Sequence, residues 1–260
     1  MSAVTASFNG NSLQTSNIVL ADIDHASTPD VTLNILKLAK APRSSVASAL
    51  KQQKTITLSG TIVGSSVTDC SNQIKTFKGY LVGAEKTLLV SDGSGDINYT
   101  ATVNKNTITR TNYLTWAKFS TEFICSTPYG VDTSATTLVS ASGRTSASYS
   151  DALTVGGNAE WQTPIITITL TAVSGATNQS IIVGNAATGQ ACSVTRTWAV
   201  NDVLVIDVSS LTAPVTVNGT PVVFTGALPT FNTGSQVITY NDTFTTRTFN
   251  HLVQNFQRWD

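Results

Sequence analysis

Between positions 55 and 63 apolar and polar side chains alternate one for one. Ile56, Leu58, Gly60 and Ile62 stand between Thr55, Thr57, Ser59 and Thr61, a period of two that predicts a strand with one buried face. The pattern then changes. Ser66-Val67-Thr68-Asp69 reads as a helix start, with Ser66 placed to accept a backbone N–H and Asp69 placed to reach back. Cys70, Ile74, Phe77 and Leu81 follow at spacings of four and three, so they stack in one stripe, while Lys75 and Lys78 fall off it. Gly83 supplies the stop. A single amphipathic helix over about 66–82 is therefore expected. Strands are expected again at 87–90 and 97–103, reversed through Asp92-Gly-Ser-Gly-Asp96. A longer one runs from 116 to 125, with Ala117, Phe119, Thr121, Phe123 and Cys125 on one face. Pro128-Tyr129-Gly130 ends it.

Before this block, Val4, Ala6 and Phe8 suit a short strand, and 17–23 and 31–38 suit two more. Residues 40–51 are ambiguous between a loop and a short helix after Pro42, and the segment 38–51 is read as an exposed excursion, an arm or a disordered loop. After Tyr129 small polar residues dominate, which places a linker at 132–150. Strand patterns resume at 163–172, 180–183, 193–198, 203–207, 215–217, 222–224 and 236–240, with 244–259 as one more long strand. Gly184-Asn185, Thr188-Gly189, Asn201-Asp202 and Asn218-Gly219 punctuate them. The chain is thus expected to be mainly β with two domains: a sandwich braced by one helix over 1–131, and an antiparallel sandwich or jelly roll over 151–260.

Composition narrows the function. Charged residues make up 12% of the 260 positions, against roughly 25% in an average globular protein. The polar but weakly charged surface this implies suits packing against protein. Fifteen basic and fifteen acidic residues cancel, so no net field draws nucleic acid or an anionic membrane. Cys70, Cys125 and Cys192 cannot all pair within one chain and form no Cys-x-x-Cys motif, so buried thiols in a reducing compartment are expected. The first residues lack the basic start and apolar core of a secretory signal, and nowhere is there an apolar run of spanning length. A chain made soluble inside a cell, with no membrane insertion, is the expectation.

Candidate chemistry is sparse. Asp22, Asp24 and His25 lie within four residues but need further ligands to hold a metal, so ordinary surface polarity is the better reading. Asp92 to Asp96 imitates the start of a calcium loop without its closing Glu. His25 and His251 are the only histidines, and no nucleophile motif or phosphate-binding loop accompanies them. The sequons at Asn98, Asn178, Asn218 and Asn241 are coincidences of a Ser- and Thr-rich chain. Catalytic, cofactor and metal sites are all expected to be none, and the protein is not expected to be an enzyme. Trp161, Trp198 and Trp259 could stack on sugars, although packing is the first expectation for each.

In their joint order these features resemble the distal tail protein (Dit) family of long-tailed, siphovirus-type bacteriophages. The first half is similar in Ile56-x-Leu58-x-Gly60-x-Ile62, Gln73-Ile74-x-x-Phe77-x-x-x-Leu81, Lys86-x-Leu88, Tyr99-x-Ala101 and Phe119-x-x-x-Phe123-x-Cys125-x-x-Pro128-Tyr129. The second is similar in Gly157-Asn158, Pro164-x-Ile166-x-Ile168, Asn185-x-x-Thr188-Gly189, Leu204-x-Ile206-Asp207, Asn218-Gly219 and Leu228-Pro229 before Gly234. The resemblance implies a galectin-like second sandwich and a homohexameric ring closed by the first domains. It also implies a place at the distal end of the virion tail after assembly in the host cytoplasm. Its partners would be the tail tube protein, the tail hub or tip protein, and receptor-binding or side-fibre proteins, with DNA passing a lumen without specific binding. The rival expectation is a carbohydrate-binding adhesin in which 151–260 contact the host surface.

Overall fold

A computed structural model describes residues 4–29, 31–37, 44–91, 95–111, 114–175 and 177–260, with side chains described everywhere in these except 33–37 and 44–50. It divides into two compact units, Met1–Thr133 with Asp260, and Ser134–Trp259.

The first unit contains β1 (Thr5–Phe8), β2 (Asn11–Ser12), β3 (Ile18–Asp24), β4 (Val31–Lys37), β5 (Ser44–Lys51) and β6 (Thr55–Val63). After α1 (Val67–Tyr80) come β7 (Lys86–Ser91), β8 (Asp96–Thr109), β9 (Trp116–Cys125) and β10 (Gly130–Asp132). The main sheet is antiparallel in the order β2-β1-β7-β8-β9-β6-β3, and β10 adds to β8.

Its centre is the β6–β9 pair. Ile56, Leu58, Gly60 and Ile62 face Phe123, Thr121, Phe119 and Ala117 in turn, and all eight are buried. Gly60 matters because a Cβ there would collide with the Val19 carbonyl oxygen and stand 2.8 Å from Phe119 Cζ. The space lets the Phe119 ring lie across β6 and receive Phe77 of α1, ring centre to ring centre 4.5 Å away. Phe8 of β1 also meets Phe123 of β9 at 5.1 Å. In a flat sheet these strands, three places apart, would stand about 14 Å from each other. The sheet therefore curls over its own apolar face, and the two layers of the first sandwich belong to one continuous sheet.

The helix begins where expected. Ser66 is extended, and its hydroxyl accepts the Asp69 N–H at 3.0 Å. Asp69 reaches back to Ser65, accepting from its N–H at 2.7 Å, so the reciprocal bond falls one residue earlier than the sequence pattern implied. Cys70 and Phe77 are fully buried. Arg110 pins the first turn, donating to the Val67 carbonyl at 2.8 Å and to the Ser71 hydroxyl at 2.7 Å. Gly83, at φ 116°, turns the chain away after the last turn.

The excursion at 38–51 resolves differently from the loop or helix anticipated. Residues 38–43 lie outside the described residues, but Ser44–Lys51 pairs antiparallel with Val31–Lys37. This hairpin is a two-stranded sheet of its own.

The second unit contains β11 (Thr136–Arg144), β12 (Ser148–Val155), β13 (Pro164–Ser174), β14 (Gln179–Asn185), β15 (Gln190–Arg196) and β16 (Val203–Asp207). Then come β17 (Val215–Val217), β18 (Thr220–Pro221), β19 (Thr225–Gly226), β20 (Gly234–Asp242), β21 (Thr246–Asn255) and β22 (Arg258–Trp259). Two antiparallel sheets, β11-β21-β13-β16-β17-β18 and β12-β20-β14-β15-β19, enclose a core that includes Ile166, Ile168, Leu204, Ile206, Ile181, Val183, Ile238 and Phe249.

Four sequence expectations need correction here. Residues 132–150 are not a linker: they supply β11 and the start of β12, which are held by backbone pairing to β21 and β20. Gly184-Asn185 is no turn but the buried end of β14. Residues 222–224 lie between two short strands rather than forming one. The long strand expected at 244–259 is divided, ending at Asn255 before the short β22.

Phe77→Ala is expected to cost roughly 3–5 kcal/mol, because it empties the fully buried helix–sheet contact. Urea unfolding of the full chain measures it.

Candidate functional site

The residues singled out by sequence do not converge. Asp22 and Asp24 are exposed, and Asp24 is occupied by the Ser27 hydroxyl. No group of three or more His, Cys, Asp or Glu that could hold a metal occurs among the described residues. Residues 92–94 of the calcium-like loop lie outside them. All three cysteines are buried and free, and burial pushes the Cys125 and Cys192 thiols up to about 11. Asn218 is a turn residue at φ 51°. Its amide is spent on Val203 N–H and Asp202.

Two ionisable groups are buried at inward positions where the sequence reading did not place them. Lys54 is 1% exposed, and its ammonium meets no hydrogen-bond acceptor. It lies 5.5 Å over the Tyr99 ring. Burial lowers its pKa from 10.5, and the charge effects of Cys125, Asp260 and Asp24 offset this only in part. Both Lys54 and Asp24 line a shallow cavity of about 210 Å³. The signal was present: position 54 shares the inward parity of 56, 58, 60 and 62.

His251 is the second. It projects from β21 between the inward positions Phe249 and Val253, 1% exposed. Its Nδ1 lies 3.5 Å from Asp151 Oδ2, and Asp151 receives two bonds from Arg144, at 2.7 and 2.6 Å. Arg144 also lies 4.5 Å over the Tyr149 ring. Desolvation pulls the His251 pKa down to about 4, with Arg144 adding to the effect and Asp151 opposing it. Neither ring nitrogen has a hydrogen-bond partner, so the imidazole activates no nucleophile here. The arrangement is a structural cluster with the imidazole buried beneath a partly exposed ion pair.

The tryptophans separate cleanly. Trp198 is 3% exposed and donates its indole N–H to the Gln179 carbonyl at 2.9 Å, which removes it as a sugar platform. Trp259 is half-buried. Trp161 is 62% exposed and borders a groove of about 440 Å³ with Asn158, Glu160, Asn232 and Thr233. No helix among the described residues is long and apolar enough to cross a membrane.

No family model matches the chain, and no curated protein matches it. Solved structures do. The Dit protein of phage SPP1, described as a paradigm of the hub adsorption apparatus in phages infecting Gram-positive bacteria, superimposes with a TM-score of 0.65 at 13% identity. The match covers 93% of this chain and 99% of that one. A chain of the phage P2 baseplate in its activated, calcium-bound conformation matches at TM-score 0.49 and 10% identity, over 97% and 98% of the two chains. The chain therefore shares the fold of the SPP1 protein along nearly its whole length.

Two pH effects follow from the buried groups. Unfolded His251 takes up its proton near 6.5 and the folded one only near 4. Stability is thus full above 6.5 and declines as pH falls toward 4, by up to roughly 3 kcal/mol. His251→Leu should flatten this decline in urea unfolding measured across that range. For Lys54 the folded pKa lies below 10.5, so in the interval between them the unfolded chain holds the extra proton and stability rises with pH. Lys54→Met should raise the urea midpoint at pH 7, because the buried ammonium is removed.

Proposed function

We propose that this protein is a structural component of a phage tail hub. The observation that carries the reading is the single superposition on the SPP1 Dit protein, which takes in both units at once. A shared β-sandwich alone would match one unit.

In this reading copies of the chain close a homohexameric ring through their first units. The ring joins the tail tube protein above to the hub or tip protein and receptor-binding or side-fibre proteins below. DNA crosses the lumen unread, and a formal net charge of zero gives the wall no general affinity for phosphate. The role is architectural and not catalytic. It belongs to the distal tail of the virion, after assembly in the host cytoplasm.

The β4–β5 hairpin supports ring closure on physical grounds. A two-stranded ribbon with no further strand is marginal in water, and its outer edges offer unpaired N–H and C=O groups. Docking on a neighbouring copy satisfies both, and head-to-tail contacts of this kind close when the rotation divides a circle.

Electron microscopy and light scattering of the purified protein test the proposal, with sixfold rings expected. Replacing residues 31–50 by a short Gly-Ser bridge, which keeps Lys51 and its ion pair with Asp260, should leave the urea midpoint near wild type and yield monomers. A chain that stays monomeric even when co-expressed with neighbouring tail proteins sinks the reading. Rings formed by the shortened chain would sink only the role of the hairpin.

A further inference from the structure

We propose that the Trp161 groove is a saccharide-binding site that stacks a neutral pyranose ring on the indole.

The local backbone dictates which groups face outward. Gln162 and Phe231 form an isolated antiparallel bridge, exchanging N–H to carbonyl bonds of 2.8 and 3.1 Å, and both are fully buried. Alternation across such a bridge turns their neighbours Trp161 and Asn232 to the opposite, outer side, and both are exposed.

The frame behind them is fixed. Gln162 Oε1 accepts from Asn255 Nδ2 at 3.1 Å and from Arg258 N–H at 2.9 Å. The Thr233 hydroxyl donates to the Ala159 carbonyl at 3.0 Å. Arg258 donates to the Trp161 carbonyl at 3.3 Å. The backbone that carries the exposed indole is thus held by several hydrogen bonds, so little ordering remains to be done when a ligand arrives.

The chemistry around the ring selects the ligand. A pyranose presents an apolar C–H face and a polar hydroxyl edge. Here the apolar indole lies beside the Asn232 amide, which can donate and accept, and the Glu160 carboxylate, which accepts hydrogen bonds from hydroxyls. The volume of about 440 Å³ falls within the range of about 300–1,000 Å³ typical of small-molecule sites. No basic side chain lines the groove, and Glu160 repels anions. Neutral sugars are therefore favoured over uronic acids.

The site requires no ring, so its failure and that of the assembly reading are separate results. The test is titration of the ¹⁵N-labelled full chain with oligomers of glucose, galactose, N-acetylglucosamine and rhamnose, and with glucuronic acid as the charged comparison. A saturable shift of the Trp161 indole N–H with at least one neutral sugar is expected, while the Trp198 indole, bonded within the core, stays in place. Trp161→Ala should weaken that binding several-fold, up to about tenfold, the scale on which an aromatic contact acts, with an unchanged melting temperature. Glu160→Gln should keep neutral binding and relax the exclusion of glucuronic acid. No saturable shift with any neutral sugar, undiminished binding by Trp161→Ala, or a wild-type preference for glucuronic acid overturns the proposal.

Discussion

The first unit depends on one steric exchange: a missing side chain at Gly60 accommodates the ring of Phe119 across the strand pair. Because that ring lies over β6, Phe77 can stack on it and bring α1 down onto the sheet. The helix in turn is fastened at its start by Arg110. A small residue opposite a large one, repeated at Ala117 against Ile62, keeps the layers close-packed without leaving rotamer minima. The curl of the sheet, the seat of the helix and the burial of Cys70 all follow from this local fit.

The second unit solves a different problem. Its chain is poor in charge, and its long connections are held mainly by buried amides. Gln162 joins the segment after β12 to the stretch beyond β21. Asn185 donates to the Thr230 carbonyl and to Gln236, while Gln190 accepts from both the N–H and the hydroxyl of Thr230. Neutral groups of this kind lose less on desolvation than ions do and, when fully bonded, fix one arrangement of the loops. The Arg144–Asp151 and Arg247–Asp242 pairs are the ionic fasteners among them, and the first sits partly open to water.

Much of the fold was legible because parity is a strong signal. The inward residues of β6 and β9 and the stripe of α1 follow directly from spacing. What sequence reading missed were the places where a polar residue occupies an inward position. Lys54 and His251 obey the alternation of their strands, but a polar side chain breaks the apolar rhythm by which an inward position is recognised. Residues 132–150 were misjudged for the converse reason. β11 draws its stability from the backbone of β21, and its small side chains carry no apolar rhythm. Gly184-Asn185 has the composition of a turn, but flanking strands on both sides hold it extended. Of the candidate site, the three tryptophans were visible but not their fates, since exposure of Trp161 is set by a bridge that spans 69 positions of sequence.

The buried thiols give the molecule a built-in reporter of its own opening. Cys70 and Cys125 lie in the first unit and Cys192 in the second, all sealed from solvent. An alkylating reagent reaches each one only in a copy whose surrounding strands have parted. Mass spectrometry of the modified peptides would therefore time the breathing of the two halves separately in the unaltered chain.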